Sequence, residues 1–406
     1  MSASNLFFSG FSQNKIKLYL AKPKYIRRLS TAIAVLLALP LPWGILTGFY
    51  IWFSPFVMLN SVFLLKSMVL FNVFGWVVLL ISFFRNRWFC RYLCPVGMGC
   101  DIFSRWGRSK VSNVKKIPPL GKWLTLISLG AALTGIPLFI YLDPIAIFNG
   151  FFAAFSTSPS FTVFVSLSGL PLLFLSHLIF PGMWCGKLCP LGGLFDELTT
   201  LRKWIVKTFV KRKVIRTGSN FTRRTFLALG SGLVSDLFVP RLLPSKTARI
   251  FRPPASINEE LFNILCVRCG NCIKACPTNI LRHNLQTTNA VSWMTPELTF
   301  QDNGYCLEDC TRCGDVCPTG SISPFTVEAK KQLYIGSIEI GLEKCLLTDN
   351  KECDRCKTVC SYRAIEIVPS DTSLITKPVA DLKKCVGCGA CAAVCPSETI
   401  QMVFPG

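Results

Sequence analysis

Sixteen cysteines in four sets between positions 266 and 395 constrain this chain more than any other feature in it. Two sets, "CVRCGNCIKACP" from Cys266 and "CVGCGACAAVCP" from Cys385, read C-x2-C-x2-C-x3-C-P. Between them lie "CLEDCTRCGDVCP" from Cys306 and "CLLTDNKECDRCKTVC" from Cys345, the latter with a longer gap before Cys353. Three thiolates at such spacing wrap three irons of a cubane, and the fourth, usually before proline, reaches a neighbouring cluster. Small residues such as Gly270 and Gly389 let backbone N–H groups approach the sulfides. The sets predict four [4Fe–4S] clusters, held by Cys266, Cys269, Cys272, Cys276, Cys306, Cys310, Cys313, Cys317, Cys345, Cys353, Cys356, Cys360, Cys385, Cys388, Cys391 and Cys395. Disulfide frameworks do not repeat C-x2-C-x2-C, which argues against that use of the thiols. Residues 244–406 are expected to form an α+β domain of two ferredoxin-like units. The pairing expected is nested, the first set with the fourth and the second with the third.

The preceding half has another character. Hydrophobic residues make up 51% of the chain and mean hydropathy is +0.45, which points to a membrane part. Residues 1–225 hold 26 Lys and Arg against 4 Asp and Glu, so this half supplies the whole net charge of +22. Basic residues flanking apolar spans reflect a positive-inside bias more simply than nucleic-acid binding, and no nucleic-acid partner is expected. Apolar stretches at 31–53, 62–84, 122–142 and 161–180 are near the length a bilayer demands. The expected organisation is a cytoplasmic N-terminus (1–28), an α-helical membrane domain of two tandem two-helix repeats (29–192), and a basic linker (193–224) whose helix lies along the membrane surface. A fifth anchoring helix (225–243) would follow. Charge bias puts the N-terminus and the loops at 85–122 and 187–224 on the cytoplasmic side of a bacterial inner membrane.

The two repeats carry matching chemistry. "LTGFYIWFSPFVMLN" at 46–60 is echoed by "LTGIPLFIYLDPIAIFN" at 133–149, and "WFCRYLCPVG" at 88–97 by "WCGKLCPLG" at 184–192. Parallel repeats put both dithiols on one side, so Cys90, Cys94, Cys185 and Cys189 form a candidate four-thiolate site for zinc or a fifth iron–sulfur centre. Cys100 has no counterpart in the second repeat and reads as packing. No Cys-x-x-Cys-His is present, and His177 and His283 are the only histidines, so no haem is expected. His177 is either a packed helix-end residue or a contact for a quinone. Asp143, at the end of the third apolar stretch, is either a turn former or a proton acceptor, and Asn149 is a weaker candidate beside it.

Before the cluster sets, "SNFTRRTFLALGSGLV" at 219–234 has the twin arginine and short apolar run of a bacterial export signal. With these motifs in place, residues 29–192 resemble the membrane polyferredoxins of the NapH, NosR and MauN type. Residues from Thr222 onward resemble the NapG and MauM ferredoxins, matching the export signal at Thr222, Arg223, Arg224, Phe226 and Leu227, with Ala228 where lysine is common. The chain looks like a fusion of the two, although the cytoplasmic cluster motifs usual in the NapH type are absent. The resemblance implies a polyferredoxin domain on the periplasmic face that passes electrons from membrane quinol to a cytochrome c or a periplasmic reductase, within a larger redox complex. It also leaves open maturation of a partner metalloenzyme. In that topology about 30 Å of hydrocarbon separates the dithiol site from the outer clusters.

Overall fold

In the computed structural model the described residues are 23–39, 44–66, 72–107, 118–156, 161–210, 226–234, 250–285, 291–300, 304–349, 351–369 and 376–404. The N-terminal half is built from α1 (Pro23–Ala38), α2 (Pro55–Leu65), α3 (Asn72–Phe84), α4 (Pro95–Trp106), α5 (Leu120–Thr134), α6 (Pro144–Ala153), α7 (Phe161–Ile179) and α8 (Pro190–Val210). Proline opens α2, α4, α6 and α8, where its missing N–H costs nothing and its fixed φ suits the first turn. The residue before each proline has a side chain that accepts a hydrogen bond from the first turn. Ser54 accepts from Val57 N (3.4 Å), Cys94 from Gly97 N (3.4 Å), Asp143 from Ile145 N (2.9 Å) and Cys189 from Gly192 N (3.4 Å).

The expected membrane domain is not what these residues form. No helix among the described residues is long and apolar enough to cross a membrane. The stretch 31–53 divides between α1 and a 3-10 helix at Gly44–Phe53, and 62–84 divides between α2 and α3. Within 122–142, α5 stops at Gly135, whose φ of 119° only glycine adopts freely, and α7 carries Pro171 inside it. Much of the apolar character belongs to a packed core: Ile51, Phe56, Phe89, Ile140, Ile145, Leu191 and Phe195 are all buried in one cluster. Other apolar side chains stay exposed, among them Val73, Trp76, Leu80 and Phe84 of α3 and Phe164, Leu172 and Leu175 of α7. The pattern misled through the length of the runs: breaks divide them into helices too short to span. The proposed placement in an inner membrane, with cytoplasmic and outer faces, loses its basis with the spans. The helix expected along a membrane surface is part of α8, which packs on α5. Of the fifth anchoring helix, residues 226–234 are helical, with Phe226 and Leu227 exposed. Thr222, Arg223 and Arg224 lie outside the described residues.

The C-terminal half is α+β, as expected, and its strands form three two-stranded antiparallel sheets. In the first, β1 (Leu281–His283) pairs β2 (Pro296–Leu298), with Leu281 opposite Leu298. In the others β3 (Ser337–Ile340) pairs β6 (Ile400–Val403), and β4 (Ile365–Pro369) pairs β5 (Thr376–Ala380). An antiparallel bridge between Ser256 and Ile322 encloses the first two cysteine sets. The β3–β6 pairing encloses the last two. Consecutive sets therefore share a unit, and the nested order is overturned by these closures.

The two halves are in direct contact. Ser61 Oγ donates to Thr319 O (2.8 Å), Lys274 Nζ donates to Ala38 O (3.3 Å), and the Arg268 guanidinium lies 5.1 Å from the centre of the Tyr141 ring. One continuous apolar core runs from Cys94 and Cys189 through Ile51 and Ile145 to Leu265, Val267 and Cys269.

Candidate cluster sites and the dithiol cavity

The sixteen cysteines gather into sets that exchange their fourth members. Cys266, Cys269 and Cys272 line one pocket with Cys317 of the second set, and Cys306, Cys310 and Cys313 line another with Cys276 of the first. Cys385, Cys388 and Cys391 share a pocket with Cys360. Cys345 and Cys353 are the electrostatic neighbours of Cys356, so the long gap in that set does not remove Cys345 from it. Cys395 packs in the same apolar core as Cys356. The local chain supports this exchange. Three residues after each fourth cysteine the backbone turns with positive φ, at Asn279 (52°), Gly320 (74°), Arg363 (50°) and Glu398 (52°). Asn279 N, Arg363 N and Glu398 N donate back to Cys276 O, Cys360 O and Cys395 O.

The donor sets fit [4Fe–4S] clusters in more than number. Ile322 N donates to Cys317 Sγ (3.4 Å) and Ala364 N to Cys360 Sγ (3.3 Å), while Ser321 Oγ and Thr399 Oγ1 lie 3.3 and 3.4 Å from Cys317 Sγ and Cys395 Sγ. Such bonds stabilise thiolate and tune the potential of a bound cluster. Burial, with the neighbouring Cys266 and Cys317 thiols, pushes the Cys269 thiol up to about 12, so these thiols become ligands when metal supplies the compensating charge. Lys330, almost fully buried, donates to Leu307 O and to Cys310 O (2.7 Å), placing a cation beside the Cys306 set. His283, not singled out by its sequence context, lines the Cys266 pocket.

Spacing between the pockets is short. Cys306 N donates to Cys388 O at 2.8 Å, which joins the second and third pockets through one backbone hydrogen bond. Gly270, in the loop of the first pocket with φ 68°, sits where any side chain would run into Ala153 of α6. The Cys266 set thus lies against the N-terminal half, and the Cys306 and Cys385 sets adjoin one another.

Comparisons with known proteins support iron–sulfur binding. A 4Fe-4S dicluster domain matches residues 265–321 and 351–399, and a 4Fe-4S binding domain matches 68–113 and 162–211. A methylamine utilization ferredoxin-type protein MauM from Methylophilus methylotrophus is 33% identical over 197 residues, 45% of this chain and 84% of the relative. The chain belongs to this family of ferredoxin-type proteins. Two further members from Escherichia coli K12 are similar to it: NapF, 35% identical over 39% of this chain and 88% of its own length, and NapG, 31% identical over 38% and 72%. No solved structure matches the chain. Iron–sulfur electron transfer is the activity that this ferredoxin-type chain shares with its relatives.

The dithiol motifs of this ferredoxin-type protein also converge. Cys90, Cys94, Cys185 and Cys189 line one cavity of about 310 Å³, together with Arg27, Arg87, Arg91, Asp101 and Pro144. Two matched ion pairs brace it. Arg27 Nη1 lies 2.6 Å from Asp101 Oδ2, and Arg87 holds Asp196 with both Nε (2.8 Å) and Nη2 (2.7 Å). The signal for these pairs is in the sequence, since Asp101 and Asp196 follow Cys94 and Cys189 by the same interval. Cys100, read as packing, is brought with His177 against Cys185, their ligand atoms all within 4.8 Å of one another.

None of the three weak quinol-site candidates, Asp143, Asn149 and His177, lines the dithiol cavity. Asp143 is fully buried as the cap of α6, accepting from Ile145 N, Ala146 N (3.1 Å) and Ser54 Oγ (2.6 Å). Burial raises its carboxyl to about 6, against the three hydrogen bonds that favour the anion. Ser54 and Asp143 are the matched positions of the two repeats, and their bond ties one repeat to the other.

Proposed function

We propose that the chain is a four-cluster electron relay, with the N-terminal half as the end at which electrons enter. The observation that carries this reading is the Cys306 N to Cys388 O hydrogen bond, which closes the gap between the two cluster-pair units. [4Fe–4S] clusters exchange single electrons, one at a time. The chain's own residues hold them in sequence, exclude water with Ile273, Val316, Ile322 and Ile365, and set their potentials through N–H, hydroxyl and Lys330 donors. Proton chemistry belongs to the electron donor, because the clusters carry electrons alone.

The finer parts of the reading are also proposals. Membership of 68–113 and 162–211 in a 4Fe-4S binding domain supports a fusion of two ferredoxin-related modules, with a further metal centre at the dithiol cavity. A quinol is the proposed source of electrons and a cytochrome c or a metal-containing reductase the proposed acceptor. Likeness to a protein named for methylamine utilization favours a second reading, in which the relay serves a partner enzyme and no quinol. The test is anaerobic mixing of the oxidised holoprotein with excess quinol, followed by the bleaching of cluster absorption. Bleaching, and its recovery on adding oxidised cytochrome c, are the expected results. Clusters that stay oxidised in quinol yet reduce with dithionite would exclude a quinol donor.

A further inference from the structure

We propose that Cys100, His177 and Cys185 form a mononuclear site for a soft divalent ion, zinc, with its fourth position open to the dithiol cavity. The inference rests on the reading of that cavity as a metal centre and names its ligands. Cys100 comes from α4, His177 from the last turn of α7, and Cys185 from the segment Trp184–Leu188. Their Sγ and ring nitrogen atoms lie within 4.8 Å of one another, close enough for one small ion. Ligands of a cubane stand farther apart, because each holds a different iron.

The orientation of His177 identifies it as a ligand. Its Nδ1 lies 2.9 Å from Leu173 O, so that nitrogen carries the proton and donates. Nε2 then holds a lone pair, is fully buried, and faces the Cys185 thiol. A histidine pinned through one nitrogen by a backbone carbonyl, with the other aimed at two thiols, is how metal-binding histidines are held. Two sulfurs and one nitrogen suit zinc better than harder ions, and a Cys2His set leaves one position exchangeable.

The repeat shows that this side of the cavity departs from its twin. In the register that matches Cys90 with Cys185, Cys94 with Cys189 and Asp101 with Asp196, Cys100 matches Phe195 and His177 matches Ser82. The first repeat therefore has no such trio around Cys90. The backbone departs too. Cys90 sits in an α-helical turn at Trp88–Tyr92, whereas Cys185 sits in a π-helical turn, a widening often found at functional sites.

Zinc content of the full holoprotein, purified anaerobically from zinc-supplemented cells, tests the site. About one zinc per chain is expected beside the iron, with two sulfurs and one nitrogen in its first shell by X-ray absorption. Cys100→Ser and His177→Gln should each lower zinc retention at least roughly tenfold while iron content and the reduced-cluster electron paramagnetic resonance stay unchanged. Absence of zinc from the unaltered protein, an all-sulfur shell, or iron lost along with zinc in either variant would overturn the assignment. The absorption measurement needs no variant, so a misfolded substitution leaves the question answerable. Iron and resonance signals report the relay separately from the zinc count.

Discussion

Asp143 illustrates how one residue's role is decided by its partners. An acid in an apolar stretch reads equally as turn former or proton acceptor, and three hydrogen bonds at the start of α6 make it the cap. Its raised carboxyl, about 6 against an ordinary 3.8, has a consequence for stability. Between about pH 4 and 6 the folded state keeps a proton that the unfolded chain has lost, so stability falls as pH rises through that window. The loss is on the order of 2–3 kcal/mol and is complete above it. Asp143→Asn keeps the cap through Oδ1, so its melting temperature should be flat across the window and above that of the unaltered chain at pH 7. A flat profile for the unaltered chain would contradict this role. Cys317 gives a second residue-scale prediction. Although it stands in the second set, Cys317→Ser should remove the cluster of Cys266, Cys269 and Cys272, about a quarter of the iron, and leave the Cys306 cluster in place. All sixteen of these cysteines were legible as candidate ligands from spacing alone. Cys100 and His177 were not, because residues from different helices converge with no local signature.

Among the elements, the helices are legible in kind and misread in extent. The repeat from 46–60 to 133–149 marked the matched starts of α2 and α6, and the two Cys-x3-Cys-Pro motifs marked α4 and α8. What hydrophobicity could not show is whether an apolar helix meets lipid or other helices. Gly135 and the prolines before α2, α6 and inside α7 were the better guides, since they interrupt the runs that composition joins. The contact between α6 and the first cluster loop yields a prediction at this scale. Gly270→Ala should weaken the packing of the two halves by about 1–3 kcal/mol, read as a lower melting temperature, because the added methyl meets Ala153 and φ is left-handed. Ala153→Gly in the same chain should restore part of the loss. No rescue would show that backbone strain alone is responsible.

Across the whole molecule, the grouping of the sites is the feature most remote from the sequence. Four motifs point to four clusters but not to which share a unit; the β3–β6 pairing, the Ser256–Ile322 bridge and the exchanged fourth cysteines resolve consecutive from nested units. The same closures bring the Cys306 and Cys385 sets side by side, with Lys330 buried against the former. A buried cation favours the reduced, more negative cluster, so Lys330→Gln should lower the potential of that one cluster by tens of millivolts and spare the others. The most direct test of the relay is a potentiometric titration of the full holoprotein followed by electron paramagnetic resonance. The account predicts about sixteen irons per chain and, on full reduction, spectra broadened by magnetic coupling between neighbouring clusters, the Cys306 and Cys385 sites included. Four isolated, uncoupled signals, or iron for fewer than four clusters, would contradict it.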